Sequence, residues 1–192
     1  MVGSVGAGEE RTPRRQFGDG GRPVASPLGA RKECRVMPRS PEDIKTESWH
    51  RFYASTANNR AWELAELQAS EVDLRELLNA AHAAAWHWQA VGNELNRMRA
   101  VMLLAQAHAM AGLGSSALAY ADEMRSYFLA RPSTPDWELA FVHTVHAYAA
   151  SVAGSAEQHS ESYVRAARAL ESIADEKDRS IVERVYRHVP AP

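Results

Sequence analysis

The sequence predicts an all-α fold, built as a short α-α superhelix of about three antiparallel helical hairpins. Residues 40–192 show no convincing strand pattern, and the good helix formers Ala, Leu, Glu, Arg and Met predominate there. Helix start and stop signals recur at helix-length intervals, and two segments repeat one another 42 residues apart. Because the predicted connections are short, consecutive helices should be antiparallel neighbours.

Length and composition predict a single domain, residues 37–192, preceded by a Gly/Arg-rich extension, residues 1–36. The extension holds seven of the 11 glycines, and seven Arg or Lys residues against four Asp or Glu. Its few apolar residues cannot bury enough surface to offset its ordering entropy, so we expect it to be disordered. Met37 is an alternative start, because sequence typical of a folded domain begins there.

The composition of the predicted domain excludes several function classes. Residues 37–192 carry fifteen Arg or Lys against twenty Asp or Glu, a net charge of −5, so we expect no nucleic-acid partner. Cys34 is the only cysteine, which leaves no intrachain disulfide or cysteine-based zinc site. The long uncharged runs 100–121 and 139–156 are too polar for membrane spans, and no signal peptide is evident. We therefore expect a cytoplasmic protein without a membrane partner.

Each predicted helix has a residue that can cap its first turn, and several end at a glycine or before a proline. The helical region is expected from about residue 41 to about residue 188. In chain order the predicted first-turn residues are Ser40 with Pro41 and Asp43, Ser70 with Asp73, Asn93, Ser115 or Ser116, Thr134 with Pro135, Ser155 with Gln158, and Asp175 with Asp178. The predicted ends are Gly92, Gly112, the residue before Pro132, and Gly154.

The repeat joins the segments AQAHAMAG (105–112) and AYAASVAG (147–154), which share Ala-x-Ala-x-x-x-Ala-Gly. Small residues at these positions allow close helix approach, and the final glycine can adopt the positive φ that ends a helix. Each glycine is followed by a short turn and a second helix with a tyrosine, Tyr120 or Tyr163. One helix-turn-helix unit per period is typical of an α-solenoid.

The stretch LLAQAHAMAGLGSSALAYAD resembles a tetratricopeptide (TPR) repeat. Ala105 matches the small-residue position of the first helix, Gly112 the turn, and Ala117 the small-residue position of the second helix. His108 stands where an aromatic residue is usual, and the period is 42 residues instead of about 34. The resemblance implies a degenerate, TPR-like unit with longer helices.

Five further elements carry a closer resemblance: NNRAWEL (58–64), AHAAAWHWQAVG (81–92), NRMRA (96–100), DWELAF (136–141) and IADEKDR (173–179). They are similar to elements of a family of small uncharacterised bacterial TPR-like proteins. The resemblance covers about residues 48 to 182 and implies a TPR-like fold and a bacterial, cytoplasmic origin, but no activity. The motif residues suit a structural network and a binding site alike: Arg60, Trp62, His82, His87, Trp88 and Asn96.

In a TPR register, the first helix of each unit lines a concave groove that would bind a peptide. The expected lining is Arg99, Met102, Gln106, Phe141, Thr144 and Tyr148. The sequence therefore predicts a non-catalytic module that binds a protein or peptide partner, and it leaves homodimer formation open. The alternative for the groove is that the C-terminal helices fill it.

The alternative function is metal or small-ligand binding by a group of histidines. His82 and His87 are five residues apart, so they diverge on a helix, and we expect them to hydrogen-bond across helix interfaces. His143 and His146 share a helix face, and His108 lies on the corresponding helix of the repeat. These three histidines are a candidate metal or small-ligand site, although the pattern H-E-x-x-H is absent. No catalytic motif is present, so we expect neither an enzyme nor a bound cofactor.

Overall fold

The computed structural model describes residues 45–192, which form seven α-helices and one short 3-10 turn, Ala69–Glu71. The helices are α1 (Thr46–Ala65), α2 (Leu74–Val91), α3 (Glu94–Met110), α4 (Gly114–Ala130), α5 (Asp136–Val152), α6 (Ala156–Ser172) and α7 (Glu176–Tyr186). No strand occurs in this part of the chain, which confirms the predicted all-α class. Among the helices described, none has both the length and the apolar character needed to cross a membrane. The extension, residues 1–36, and the predicted helix start at Ser40 lie outside the described residues.

Three helices begin at capping residues that the sequence predicts. Asp73 and Asp175 each accept two backbone N–H groups of the first turn, at 2.8 to 3.1 Å. Asn93 and Asn96 form a reciprocal capping box, in which each side-chain oxygen accepts the other residue's backbone N–H. These bonds satisfy donors at the helix start that have no partner within the helix, so the starts of α2, α3 and α7 are set locally.

Other predicted caps are wrong. Ser70 lies in the 3-10 turn, and α4 begins at Gly114, ahead of the expected serines. The hydroxyl of Thr134 donates to the carbonyl of Phe128 at 2.9 Å, so it closes the end of α4 instead of capping α5. Ser155 occupies the cap position of α6, but its hydroxyl donates to the Gln158 side chain at 2.6 Å.

The described chain contains two units of equal dimensions. α3 and α5 each have 17 residues and begin 42 positions apart, at Glu94 and Asp136. α4 and α6 also have 17 residues and begin 42 positions apart, at Gly114 and Ala156. The repeat predicted from a short sequence match therefore extends over both helices of each unit.

The turns inside the two units match as well. Gly112 and Gly154 have φ angles of 73° and 75°, in the region that favours glycine. In each turn the N–H of the residue after the glycine bonds to the carbonyl five positions earlier, at 2.9 Å in both cases. This is the Schellman arrangement, which satisfies the free carbonyls at the end of a helix. The predicted positive φ at both glycines is confirmed.

Two helices lie at the centre of the molecule. Helices adjacent in the chain pack against one another, and the odd-numbered helices also pack in the order α1, α3, α5, α7. α3 and α5 therefore each have four helical neighbours. As a result residues 101–109 of α3 and residues 140–147 of α5 are buried on every side. Alanine supplies much of this interior, because its small side chain lets helices approach closely.

Two long-range hydrogen bonds connect Glu66, the residue after α1, to α7 and to the residue that follows it. Glu66, which follows α1, accepts a hydrogen bond at 3.0 Å from Arg184 Nε of α7. Arg187 donates to the backbone carbonyl of Glu66. These contacts join residues 118 and 121 positions apart, so they link the end of α1 to the last helix of the described chain.

Candidate functional site

Histidines connect neighbouring helices at three places, the first of which joins α2, α3 and α4. The Nε2 atoms of His82 and His108 are 3.0 Å apart, and His108 Nδ1 lies 2.7 Å from Ser116 Oγ. The Ser116 hydroxyl donates to the Leu113 carbonyl, so it accepts from His108 Nδ1–H. Burial and the neighbouring His82 lower the pKa of His108, which favours a neutral ring. The Nε2 atom of His108 then accepts a hydrogen bond from the Nε2–H group of His82.

In the second histidine contact a serine, a histidine and an aspartate are hydrogen-bonded in the same order as in the Ser-His-Asp triad of hydrolases. His146 of α5 donates from Nε2 to Asp122 Oδ1 of α4 at 2.9 Å, and its Nδ1 lies 2.8 Å from Ser162 Oγ of α6. Burial lowers the pKa of His146 against the opposing effect of Asp122, so the neutral Nδ1 accepts from the Ser162 hydroxyl. His146 and Ser162 are both 0% exposed, so a substrate has no access to this hydroxyl. The contact joins three helices and is not a nucleophile site.

The third histidine contact lies between α1 and α2. The Nδ1 atoms of His50 and His87 are 3.0 Å apart, and Tyr53 stacks on His87 with ring centroids 5.6 Å apart. Burial and His50 lower the pKa of His87. The expectation that His82 and His87 hydrogen-bond across helix interfaces is confirmed. Of the two tryptophans beside them, Trp88 is buried and Trp86 is 72% exposed.

The structure does not bring His108, His143 and His146, the residues of the alternative metal or small-ligand site, together as one group of metal ligands within the described residues. The ring nitrogens of His108 are held by α2 and α4, and those of His146 by α4 and α6. The rings of His108 and His146 are thus each engaged with their own set of helices, whereas Nδ1 of His143 has no partner in the described residues. Within residues 45–192, no group of three His, Cys, Asp or Glu side chains is arranged to hold a metal ion.

The residues predicted to line a groove lie mostly inside the helical array. Met102, Gln106, Phe141 and Thr144 are buried, and Tyr148 is half-buried, with its pKa raised by burial. An open groove would leave one side of α3 and α5 accessible, whereas both helices are enclosed by neighbours. These side chains therefore pack the interior and do not line an open surface.

Two of these interior residues carry unsatisfied polar atoms. Both side-chain polar atoms of Gln106 and the hydroxyl of Thr144 are buried and find no hydrogen-bond partner in the described part of the chain. An unpaired buried group costs about 1–3 kcal/mol. These unpaired groups therefore lower the stability of the interior.

Arg99, the sixth predicted groove residue, joins α3 to α5. Its Nε atom donates to Glu138 Oε1 at 2.7 Å, and its guanidinium carbon lies 5.5 Å from the centre of the Trp137 ring. Glu138 is only 1% exposed, and a carboxylate buried this deeply requires a paired cation. The partly buried Arg99 is therefore committed to a structural ion pair.

The remaining motif residues also have structural contacts. Arg60 of α1 forms a two-pronged ion pair with Glu76 of α2, at 2.6 and 2.8 Å. Trp62 packs edge-on against Phe141 with ring centroids 5.4 Å apart. Trp88 fills the core and Asn96 belongs to the capping box. Of the two roles that the sequence left open for these residues, the contacts favour the structural network.

An exposed aromatic face on α1 was not among the predicted site residues. It consists of Trp49, Phe52 and Tyr53, whose rings contact one another with centroids 5.4 to 6.2 Å apart. Phe52 is 55% exposed and Tyr53 is 45% exposed. The signal was present in the sequence, because positions i, i+3 and i+4 share one face of a helix.

A second unpredicted feature is an arginine cluster between α4, α5 and α6, formed by Arg125, His143, Glu161 and Arg165. Glu161 Oε1 lies 2.7 Å from Arg165 and 3.6 Å from Arg125. Glu161 and Arg165 have the i, i+4 spacing that suggests an ion pair within one helix. The third partner, Arg125, comes from another helix, so the sequence pattern alone does not indicate it.

No protein-family model, curated protein or solved structure matches this chain. Its function is therefore inferred from the contacts and exposure of its own residues.

Proposed function

We propose that this chain is a non-catalytic, cytoplasmic helical-repeat module, TPR-like in its stacking, that binds a protein partner through the aromatic face of α1. One observation carries the proposal: two large aromatic side chains of that face, Phe52 and Tyr53, have about half of their surface open to solvent. Contiguous exposed apolar patches on folded proteins mark interaction sites, and Trp and Tyr are enriched among the residues that dominate binding energy.

The rings of this face are already ordered before any partner binds. Trp49 stacks on Tyr53 at 5.4 Å, and Phe52 contacts both rings edge-on. Tyr53 is also held by His87 of the neighbouring helix. Because these side chains have little rotamer freedom left to lose, binding to them carries a small entropic cost.

The face has the layout of a helix-binding surface. Its three aromatic residues occupy one side of a regular helix, and the charged residues Glu47 and Arg51 flank them one turn apart. An apolar centre with a polar rim is the usual anatomy of a protein interface. The partner chemistry that fits is an amphipathic helix whose apolar side chains recur at i, i+3 and i+4.

The TPR-like part of the proposal is supported by the helical units. The units of α3–α4 and α5–α6 have the same lengths, the same spacing and the same glycine turn. The odd-numbered helices follow one another in contact, as the first helices of stacked repeats do. Repeat proteins commonly act as scaffolds for partners, which agrees with a binding role.

Site-specific photo-crosslinking tests the proposal. Phe52 is replaced by p-benzoylphenylalanine in the full chain, which is expressed and irradiated in its own host. We expect one dominant polypeptide to be joined at this position and identified by mass spectrometry. The purified partner should then bind the wild-type chain in calorimetry, and the variant W49A/F52A should weaken its affinity at least about tenfold.

Val164 supplies the matched control, because it is 44% exposed on a different helix, α6. The crosslinker at position 164 should not capture the same polypeptide, and V164A should leave the affinity unchanged. A product equally abundant from both positions, or an affinity insensitive to W49A/F52A, would rule out the aromatic face. Capture of a second copy of this chain would identify the partner as the protein itself.

A further inference from the structure

The arginine cluster holds two guanidinium groups around one carboxylate oxygen. Arg165 and Glu161 belong to α6 and are half-exposed, whereas the side chain of Arg125 is only 20% exposed on α4. At 3.6 Å, the contact between Arg125 and Glu161 is longer than a hydrogen bond. Asp122, one turn before Arg125, already accepts the hydrogen bond of His146. The guanidinium of Arg125 is therefore poorly paired.

Two buried atoms of this cluster have no partner in the described part of the chain. They are Nε of Arg125 and Nδ1 of His143. His143 is 8% exposed, and its pKa is lowered by burial first and then by the charges of Arg125 and Arg165, while Glu161 raises it. A donor on an arginine and a nitrogen on an imidazole thus remain unused beside a surface carboxylate. Buried polar groups normally have hydrogen-bond partners, so these two unpaired atoms indicate a site for a ligand.

We propose that Arg125, His143 and Arg165 form a binding site for a phosphate group, which Glu161 occupies with its own carboxylate in this structure. Two guanidinium groups supply charged donors, and the His143 ring adds a third donor in the tautomer that carries its proton on Nδ1; this set comes from three helices and suits the several oxygens of a phosphate better than the two of a carboxylate. Glu161 is 44% exposed, so its side chain can turn into solvent when the phosphate enters. The site is independent of the aromatic face.

NMR of the histidine side chains in the full chain tests this site. Sodium phosphate is titrated at about pH 7 and constant ionic strength, and the Nδ1 and Nε2 resonances of His143 are followed. We expect a saturable shift of the His143 resonances, with the other histidines moving less. R125Q should weaken the apparent affinity by about tenfold, since it removes a charged donor. E161Q should tighten binding by about threefold or more, because the internal competitor loses its charge.

Arg168 supplies the matched control, because it is an exposed arginine of α6 outside the cluster. R168Q should leave the phosphate affinity unchanged. R165Q alters a half-exposed residue and serves as a second loss variant if R125Q does not fold, as judged by its amide spectrum. Sodium acetate in a parallel titration separates a phosphate site from a general carboxylate site. A shift that does not saturate, or equal affinities in the wild type, R165Q and E161Q, would overturn the proposal.

Discussion

At the scale of single residues, the interior histidines differ in how their ring nitrogens are used. His108 and His146 engage both nitrogens with neighbouring helices. The Nδ1 atom of His143 finds no partner in the described part of the chain. Burial, reinforced by the charges of Arg125 and Arg165 and by His146, lowers the pKa of His143 to about 4, although Glu161 acts in the opposite direction. The His143 ring is therefore neutral near pH 7.

Replacing His143 by Gln tests this assignment. The unfolded chain, in which the pKa of a histidine is near 6.5, binds the proton more readily than the folded chain. The contribution of His143 to stability is thus complete above about pH 6.5 and is lost as the pH falls toward about 4. Between about pH 7 and about pH 5 this one residue should account for about 2 kcal/mol of lost stability.

Urea unfolding at about pH 7 and at about pH 5 measures this effect. Between these two pH values the free energy of unfolding of H143Q should fall by about 2 kcal/mol less than that of the wild type. Part of the pH dependence should remain, because the pKa values of His87, His108, His146 and His188 are also lowered. An identical pH dependence in H143Q and the wild type would show that His143 is not buried in its neutral form.

At the scale of helices, the unit of α3–α4 fits tightly against α5. A Cβ atom added at Gly114 would lie 2.5 Å from the carbonyl oxygen of Val152 and 2.7 Å from the Cα of Ala153. The start of α4 therefore packs directly on the backbone at the end of α5. The corresponding position in the next unit is Ala156, which is exposed and carries a side chain without conflict.

G114A should reduce the free energy of unfolding by about 1–3 kcal/mol, because the obstructing atoms are backbone and cannot turn aside. A156S, at the corresponding exposed position, should change it by less than about 0.5 kcal/mol. Chemical denaturation of both variants measures the difference. Equal losses in the two variants would mean that α4 does not meet the end of α5 in this way.

Local signals explain which parts of the fold were predictable. Asn93, Gly112 and Gly154 act within one or two turns of their own position, so the start of α3 and the ends of α3 and α5 could be read from the sequence. The burial of Gln106 and Thr144 depends on helices far away in the chain. Their position in the repeat was predictable, but their exposure depends on how many helices surround them. The arginine cluster escaped prediction for the same reason, since Arg125 and Glu161 come from different helices.

At the scale of the whole molecule, one ion pair joins residues 118 positions apart, Glu66 after the end of α1 and Arg184 in α7. The ion pair of Glu66 and Arg184 is partly exposed, with 27% and 40% of the two side chains accessible. Partly exposed pairs contribute modestly to stability. The main effect expected from this pair is therefore on the local opening of α7 rather than on overall stability.

A double-mutant cycle with E66Q and R184Q should give a coupling energy of about 0.2–1 kcal/mol. Hydrogen exchange of the α7 amides should be faster in E66Q, while exchange in α4 stays the same. E76Q is the matched control, because Glu76 pairs with Arg60 across α1 and α2. It should leave exchange in α7 unaffected. A coupling energy of zero, with unchanged hydrogen exchange in α7, would show that the ion pair of Glu66 and Arg184 does not hold α7 in place.

The contact between Glu66 and Arg184 depends on how many helical units lie between them in the chain. The matching helices start 42 positions apart, so a chain in which residues 94–135 are duplicated gains one whole unit and keeps every turn. Such an insertion separates Arg184 from Glu66 by one more unit and adds one more odd-numbered helix to the row α1, α3, α5, α7. Gln106 and Thr144 stay enclosed by their own neighbouring helices. The number of units thus sets the length of the packed row without altering a side chain within it.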